Sequence, residues 1–273
     1  MDDLYPSRYR SEPAIVRRTT PVVHADSVDA APIGVSMVRQ YERDGVIVLE
    51  NVFDSDEVAV LKRAADQLRV APGQLSSGTV ITEPETSGED VVRSIFAIHQ
   101  QSDVFFKLAV DERLAGLARY LLGDQVYMHQ SRLNYKPAFQ GKQFYWHSDF
   151  ETWHIEDGMP DMRALSMSVM LTDNHPAAGP TLFLPGSHTS YVECVGETPE
   201  NHYKDSLKKQ EYGIPDGDSL TQLANEGGII SPPPPAGSVV IFDCNTMHGS
   251  NSNITPFERT NAFFVFNAWC NRL

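Results

Sequence analysis

From Gln125 onward the chain stops reading as helix and reads as a series of short strands. QVYMHQSRLNYK (125–136), KQFYWHSDF (142–150), RALSMSVMLT (163–172), PTLFLPGS (180–187), AGSVVIFDC (236–244) and TNAFFVFNAW (260–269) are rich in β-branched or aromatic residues and are parted by Gly, Pro or Asn. Helical periodicity comes before them: SMVRQYERDG (36–45), DSDEVAVLKRAADQLRV (54–70), and SDVFFKLAVDERLAGLARYLLG (102–123), which reads as one helical region or two short helices ending at Gly123. Asp54 or Ser55 is the candidate N-cap of the second helix, whose first turn is acidic. GVIVLENVF (45–53) reads as a strand between the first two helices. Helices followed by a run of short strands predict a mainly β fold, a barrel or double-sheet jelly roll with helices packed outside.

The chain has 273 residues, 41% of them hydrophobic, so one large domain can bury its own core without disulfides or a structural metal. The expected organisation is one domain over 1–273, with a Pro- and Arg-bearing surface arm over 1–35. Two stretches lack regular pattern, 71–90 and 193–235. Loops of that length are functional lids or disordered, and the second is expected to be a mobile lid or insertion. A net charge of −14 disfavours nucleic acid and anionic membranes as partners. Cys194, Cys244 and Cys270 are too widely spaced for a disulfide framework or a zinc site and are expected to be inert thiols. The polar opening MDDLYPSRYRSEP has no apolar core of a signal peptide, and no run of about 18 apolar residues occurs, so a cytoplasmic location is expected.

The stretch YWHSDFETWH carries His147 and Asp149 two residues apart, which on a strand would share one face. Alone, His-x-Asp is a weak motif. His248 strengthens it, lying about a hundred residues downstream and late in a β segment. Two histidines and one carboxylate on one face of an octahedral ion leave three positions open, which suits non-haem Fe(II). Such a site needs electrons from a co-substrate, and 2-oxoglutarate carries a far carboxylate that wants a fixed cation. Arg259, eleven residues after His248, supplies a guanidinium able to fork onto it. Gln130, Arg132 and Asn134 alternate along one segment, and Arg259, Asn261 and Phe263 along another. Each trio faces either a solvated cavity inside the barrel or bulk water; parity does not choose between them.

FYWHSDFETWHIEDGMPDMRALSMSVMLTDN (144–174), LPGSHTSYVECVGETPENHYKDSLKKQEYGIP (184–215), QSRLNYKP and MHGSNSN with ERTNAFFVFN resemble the ectoine hydroxylases of the phytanoyl-CoA dioxygenase family, and the resemblance spans nearly the whole chain. It implies a jelly-roll dioxygenase using Fe(II), O2 and 2-oxoglutarate to convert ectoine to 5-hydroxyectoine with succinate and CO2, as a homodimer. It implies His147, Asp149 and His248 as metal ligands, and Arg259, Ser250, Ser166, Asn134 and Phe144 for 2-oxoglutarate. Phe144 has the wrong strand parity to share a face with His147, so this last position demands a bulge or a strand start there. For ectoine it implies Gln130, Arg132, Thr152, Trp153, Asn261, Phe242 and Phe263, with Arg132 on the carboxylate and Trp153 stacked on the amidinium. The alternatives are a relative acting on another small solute or an acyl-CoA, a cupin-like barrel that binds without turnover, and a zinc hydrolase. His129, His154, His175 and His188 are assigned no ligand role.

Overall fold

The computed structural model describes residues 3–9, 12–84, 90–196 and 213–273. In chain order the strands are β1 (Ala14–Arg17), β2 (Val46–Leu49), β3 (Val80–Pro84), β4 (Asp90–Phe96), β5 (Val126–Lys136), β6 (Phe144–His147), β7 (Ala164–Met170), β8 (Thr181–Phe183), β9 (Ser190–Glu193), β10 (Val239–Asp243), β11 (His248–Ser250) and β12 (Arg259–Ala268). The helices are α1 (Val35–Asp44), α2 (Ser55–Val70), α3 (Ile98–Gln101), α4 (Asp103–Ala109), α5 (Leu117–Leu122), α6 (Asp149–Thr152) and α7 (Gly217–Gly227). A seven-stranded sheet runs β2-β10-β7-β12-β5-β4-β3, a three-stranded sheet runs β6-β11-β8, and β1 pairs with β9. Every ladder is antiparallel. This is a jelly-roll core with flanking helices.

Strand alternation divides the interior in two. On β12, Ala262, Phe264 and Phe266 join Leu165, Met167 and Val169 of β7 in a core shared with α2, α4 and α5. Phe263 of β12 points the other way and meets Val240, Phe242 and Phe183 inside the barrel. Both strands are buried along their whole length, which is why their sequences are nearly continuous apolar or small-residue runs.

The predicted helices form. Asp54 is the N-cap of α2: its carboxylate accepts from the Asp56 and Glu57 N–H groups, and Glu57 returns a bond to the Asp54 N–H, closing a capping box. α1 ends at Gly45, whose φ of 71° and close approach to His188 and Thr246 leave no room for a side chain.

Three expectations change. The stretch 71–90, read as patternless, holds β3 and the start of β4. Within 193–235, α7 forms with Asp216 as N-cap, and residues 197–212 of the expected lid lie outside the described residues. The amino-terminal arm does not simply lie on the surface. Tyr5, Ser7, Arg8 and Arg18 are buried. Arg8 pairs with Glu151 and Glu156, and Arg18 pairs with Asp243 through both carboxylate oxygens at 2.9 Å. Cys194 and Cys244 are buried and Cys270 is exposed. Among the described residues no helix is long and apolar enough to cross a membrane.

Candidate active site

β6 ends on His147, and the chain turns at Ser148 into α6, which begins with Asp149. His147 and Asp149 therefore do not share a strand face, as their spacing suggested. A strand end followed by the first turn of a helix brings them together instead. His248 opens β11 directly opposite His147 in the ladder. The ligand atoms of the three buried side chains all lie within 4.8 Å of one another.

The surroundings fix their chemical state. Nδ1–H of His147 donates to the Tyr145 carbonyl at 2.7 Å, and Nδ1–H of His248 donates to the Thr246 carbonyl at 3.0 Å. A carbonyl can only accept, so each ring keeps its proton on Nδ1 and turns the Nε2 lone pair inward. Those Nε2 atoms face Asp149 Oδ1 at 3.8 and 3.9 Å. The Ser166 hydroxyl donates to the other oxygen, Oδ2, at 3.2 Å. Burial, with His248 alongside, pushes His147 down to about 4. Burial works to raise the Asp149 carboxyl, but His248, His147 and Arg132 outweigh it and hold it below the usual carboxylate range. Neutral imidazoles and an ionised carboxylate are the forms a metal takes. Two nitrogens and one oxygen converging from one side fit Fe(II).

The triad sits in a pocket between the two sheets. Gln130, Arg132 and Asn134 all line it, so their shared face is the barrel interior. Lys136, next in the same alternation, lines it too; the parity that picked out the trio extends to it, and only stopping the count at Asn134 hid it. Arg259 lies opposite Lys136 in the β12–β5 ladder. Among the described residues, the pocket lining carries three guanidinium groups, Arg93, Arg132 and Arg259, against the one carboxylate of Asp149. On a chain with net charge −14, that local excess of cation points to an anionic guest.

Two of these cations have unanswered donors. Arg259 is 4% exposed, and its Nη1 has no hydrogen-bond partner among the described residues; Arg132 Nε has none either. Burial pushes Arg259 down to about 10 and lowers Arg132, the latter opposed by Asp149. Burying a guanidinium without an anion is costly, so both fit a carboxylate supplied from outside. Lys136 donates to the Gly179 carbonyl, the Ser250 hydroxyl and the Asn251 carbonyl. Burial, aided by Arg259 and Arg93, nevertheless brings it down to about 6.

Of the remaining expected site residues, Phe144, Thr152, Trp153, Ser250 and Phe263 line the pocket. Phe144 reaches it through a bulge: His248 pairs with His147 and Ser250 with Phe144, so two residues of β6 oppose one of β11. Three lie behind the lining. Ser166 bonds Asp149, Asn261 donates to the Ser168 hydroxyl at 3.3 Å, and the Phe242 ring stands 4.8 Å from that of His248. Of the histidines given no ligand role, His188 is fully buried with Nε2–H donating to the Glu42 carbonyl, and the His129 ring meets Trp153 edge-on at 5.0 Å.

The phytanoyl-CoA dioxygenase (PhyH) family profile matches residues 41–261, a span that contains all three triad residues and Arg259. The chain belongs to the phytanoyl-CoA dioxygenase family. Within it, the ectoine dioxygenase of Sphingopyxis alaskensis is 58% identical over 273 residues, covering 100% of this chain and 88% of that protein. The ectoine dioxygenase of Halomonas elongata is 47% identical, covering 99% and 81%. The crystal structure of EctD from S. alaskensis with 2-oxoglutarate and 5-hydroxyectoine superposes with a TM-score of 0.89 at 52% identity, covering 99% of this chain and 89% of that one. The S. alaskensis enzyme with bound Fe gives the same TM-score.

Proposed function

We propose that this dioxygenase hydroxylates ectoine to 5-hydroxyectoine, consuming O2 and 2-oxoglutarate and releasing succinate and CO2. The observation that carries the reading is the pair of guanidinium groups with buried, unanswered donors, Arg259 and Arg132, in one pocket with the His147–Asp149–His248 cluster. 2-Oxoglutarate brings one far carboxylate and ectoine another, so each arginine has a guest. The identity to ectoine dioxygenases over the full length of the chain supports the choice of substrate.

His147, Asp149 and His248 would hold Fe(II), which supplies oxygen activation when bound with 2-oxoglutarate. Arg259 forks onto the far carboxylate of the co-substrate, with Ser250 and Asn134 as hydrogen-bonding neighbours and Phe144 as a wall. Ser166 acts on this site through Asp149. Arg132 pairs with the ectoine carboxylate, and Trp153 stacks on the amidinium for about 0.5–2 kcal/mol. Gln130 and Thr152 complete the polar contacts and Phe263 closes the apolar side, with Asn261 and Phe242 acting from behind through Ser168 and His248. No side chain has to move a proton. Their work is to hold the ring carbon in place and keep water out.

The same reading takes the chain as one domain with an arm over 1–35 and a lid within 193–235, acting in the cytoplasm as a homodimer without nucleic-acid or membrane partners. Widely spaced cysteines and the acidic surface support this. Sedimentation at the mass of one chain would remove the dimer from it.

The reaction is tested by incubating the protein with Fe(II), 2-oxoglutarate, O2 and ectoine and following products by mass spectrometry. Hydroxylated ectoine forming in step with succinate is expected. Succinate alone would leave the oxygenase and sink the substrate; neither product, with iron bound, would sink the oxygenase.

A further inference from the structure

β4 reads DVVRSIF, and its pairing with β3 carries an irregularity at the pocket. Ser94 pairs with Ile81 and Val92 with Thr82, so Arg93 is an extra residue with no opposite number. The insertion reverses the parity of the strand. Ile95 and, beyond the bulge, Val92 pack in the core shared with the helices. Ser94 and Phe96 line the pocket, and so does Arg93. In an unbroken strand Arg93 would share the face of Ile95 and point its charge into the apolar core. The bulge gives up regular pairing and delivers a guanidinium to the pocket.

There it makes a particular contact. The Arg93 Cζ lies 3.8 Å from the centroid of the Phe144 ring, close enough for the guanidinium to stack on its face. Its Nη1–H donates to Glu83 Oε1 at 2.9 Å, and its side chain is 9% exposed. Phe144 belongs to the three-stranded sheet and Arg93 to the seven-stranded sheet, and β4 and β6 share no ladder. The stack is thus a side-chain bridge across the pocket. Arg93 differs from Arg259 in having a carboxylate in hand, so it has less need of one from a guest.

We propose that Arg93 is a positioning residue for 2-oxoglutarate: stacked on Phe144, it holds that ring as a wall of the co-substrate site and acts through the ring, without pairing with the co-substrate itself. The proposal rests on the reading of the pocket as a 2-oxoglutarate site.

The test is calorimetric binding of 2-oxoglutarate to protein loaded with Mn(II) in place of iron, which reads affinity without turnover. Arg93→Met is expected to weaken binding about tenfold while Mn(II) affinity stays at the parent value, which also reports a folded site. Arg93→Lys keeps the charge but loses the flat stacking surface, so it is expected to match Arg93→Met. Phe144→Leu is expected to weaken binding in the same direction, and the Arg93→Met, Phe144→Leu double variant to be no weaker than Phe144→Leu alone. Parent-like affinity in Arg93→Lys, or losses that multiply in the double variant, would show Arg93 acting on the co-substrate directly and overturn the proposal. Unchanged affinity in Arg93→Met would overturn it as well. A parent protein that holds Mn(II) but binds no 2-oxoglutarate would overturn the co-substrate reading, and this proposal with it.

Discussion

Single atoms decide the chemistry of this pocket. The Ser166 hydroxyl leaves Asp149 with one oxygen engaged and one facing the histidines. Ser166→Ala is expected to weaken Mn(II) binding about tenfold, the lower range for losing a partner behind a metal ligand. Its 2-oxoglutarate affinity, measured at saturating metal, should change little; a loss there with metal binding intact would move Ser166 into direct contact with the co-substrate. Lys136 offers a pH-linked test. Held down to about 6 by burial, Arg259 and Arg93, it is mostly neutral at pH 8. A dianion placed beside Arg259 favours the ammonium form, so 2-oxoglutarate binding should draw a proton from solution. Calorimetry at pH 8 in buffers of different ionisation enthalpy reads that uptake, and it should vanish in Lys136→Met. The linkage has a second face. With the folded value below the unfolded one, the unfolded chain binds more protons between about 6 and the ordinary lysine value, so this group makes the fold more stable as pH rises through that window. Lys136 was legible from parity alone. Ser166 was legible as a site residue, but its partner was not, because no sequence pattern reports that β7 runs behind α6.

At the scale of elements, what the sequence announces is what local rules can hold. α2 has its capping box written in DSDE, and Asp54→Ala should cost about 1 kcal/mol of unfolding free energy, read from denaturant melts with an unchanged slope. The long strands β5, β7 and β12 are visible as runs of β-branched and aromatic residues. The elements hidden from sequence share a cause. β4 is interrupted at Arg93, so its alternation fails in the middle. β6 spends only four residues before the chain turns into α6, so a stretch that looks like one strand is a strand and a helix. β5, although visible as a strand, carries an extra residue at His129, between the pairs Val265–Gln130 and Phe266–Met128, that the sequence does not announce. In each case the irregularity lies beside the pocket: a bulge or a strand end re-aims side chains that a regular strand would have sent elsewhere. Periodicity is therefore least informative where the function sits.

Taken whole, the molecule is tied together through Arg8 and Arg18 of the arm. Arg18, with 2% side-chain exposure, spans the arm and β10 through Asp243, which is equally buried. Arg18→Ala leaves that carboxylate buried without its cation and should cost about 3–5 kcal/mol, seen as a lowered thermal midpoint. Arg18→Lys, which loses the Nη2 bonds to the Pro21 and Met162 carbonyls, should recover only part of the loss.

The arm also sets an order of events during synthesis. Arg18 is made 225 residues before Asp243, and Arg8 is made 143 before Glu151. At about 5–20 residues per second, the partner of Arg18 emerges from the ribosome roughly 11–45 s after it. Throughout that interval Arg18 lacks the carboxylate it pairs with, although Glu151 and β9, which hold Arg8 and β1, emerge earlier. Arg18 is thus among the last residues to find its partner, and a nascent chain halted before β10 would carry the helices, most of the strands and the β1–β9 pair with Arg18 still without Asp243.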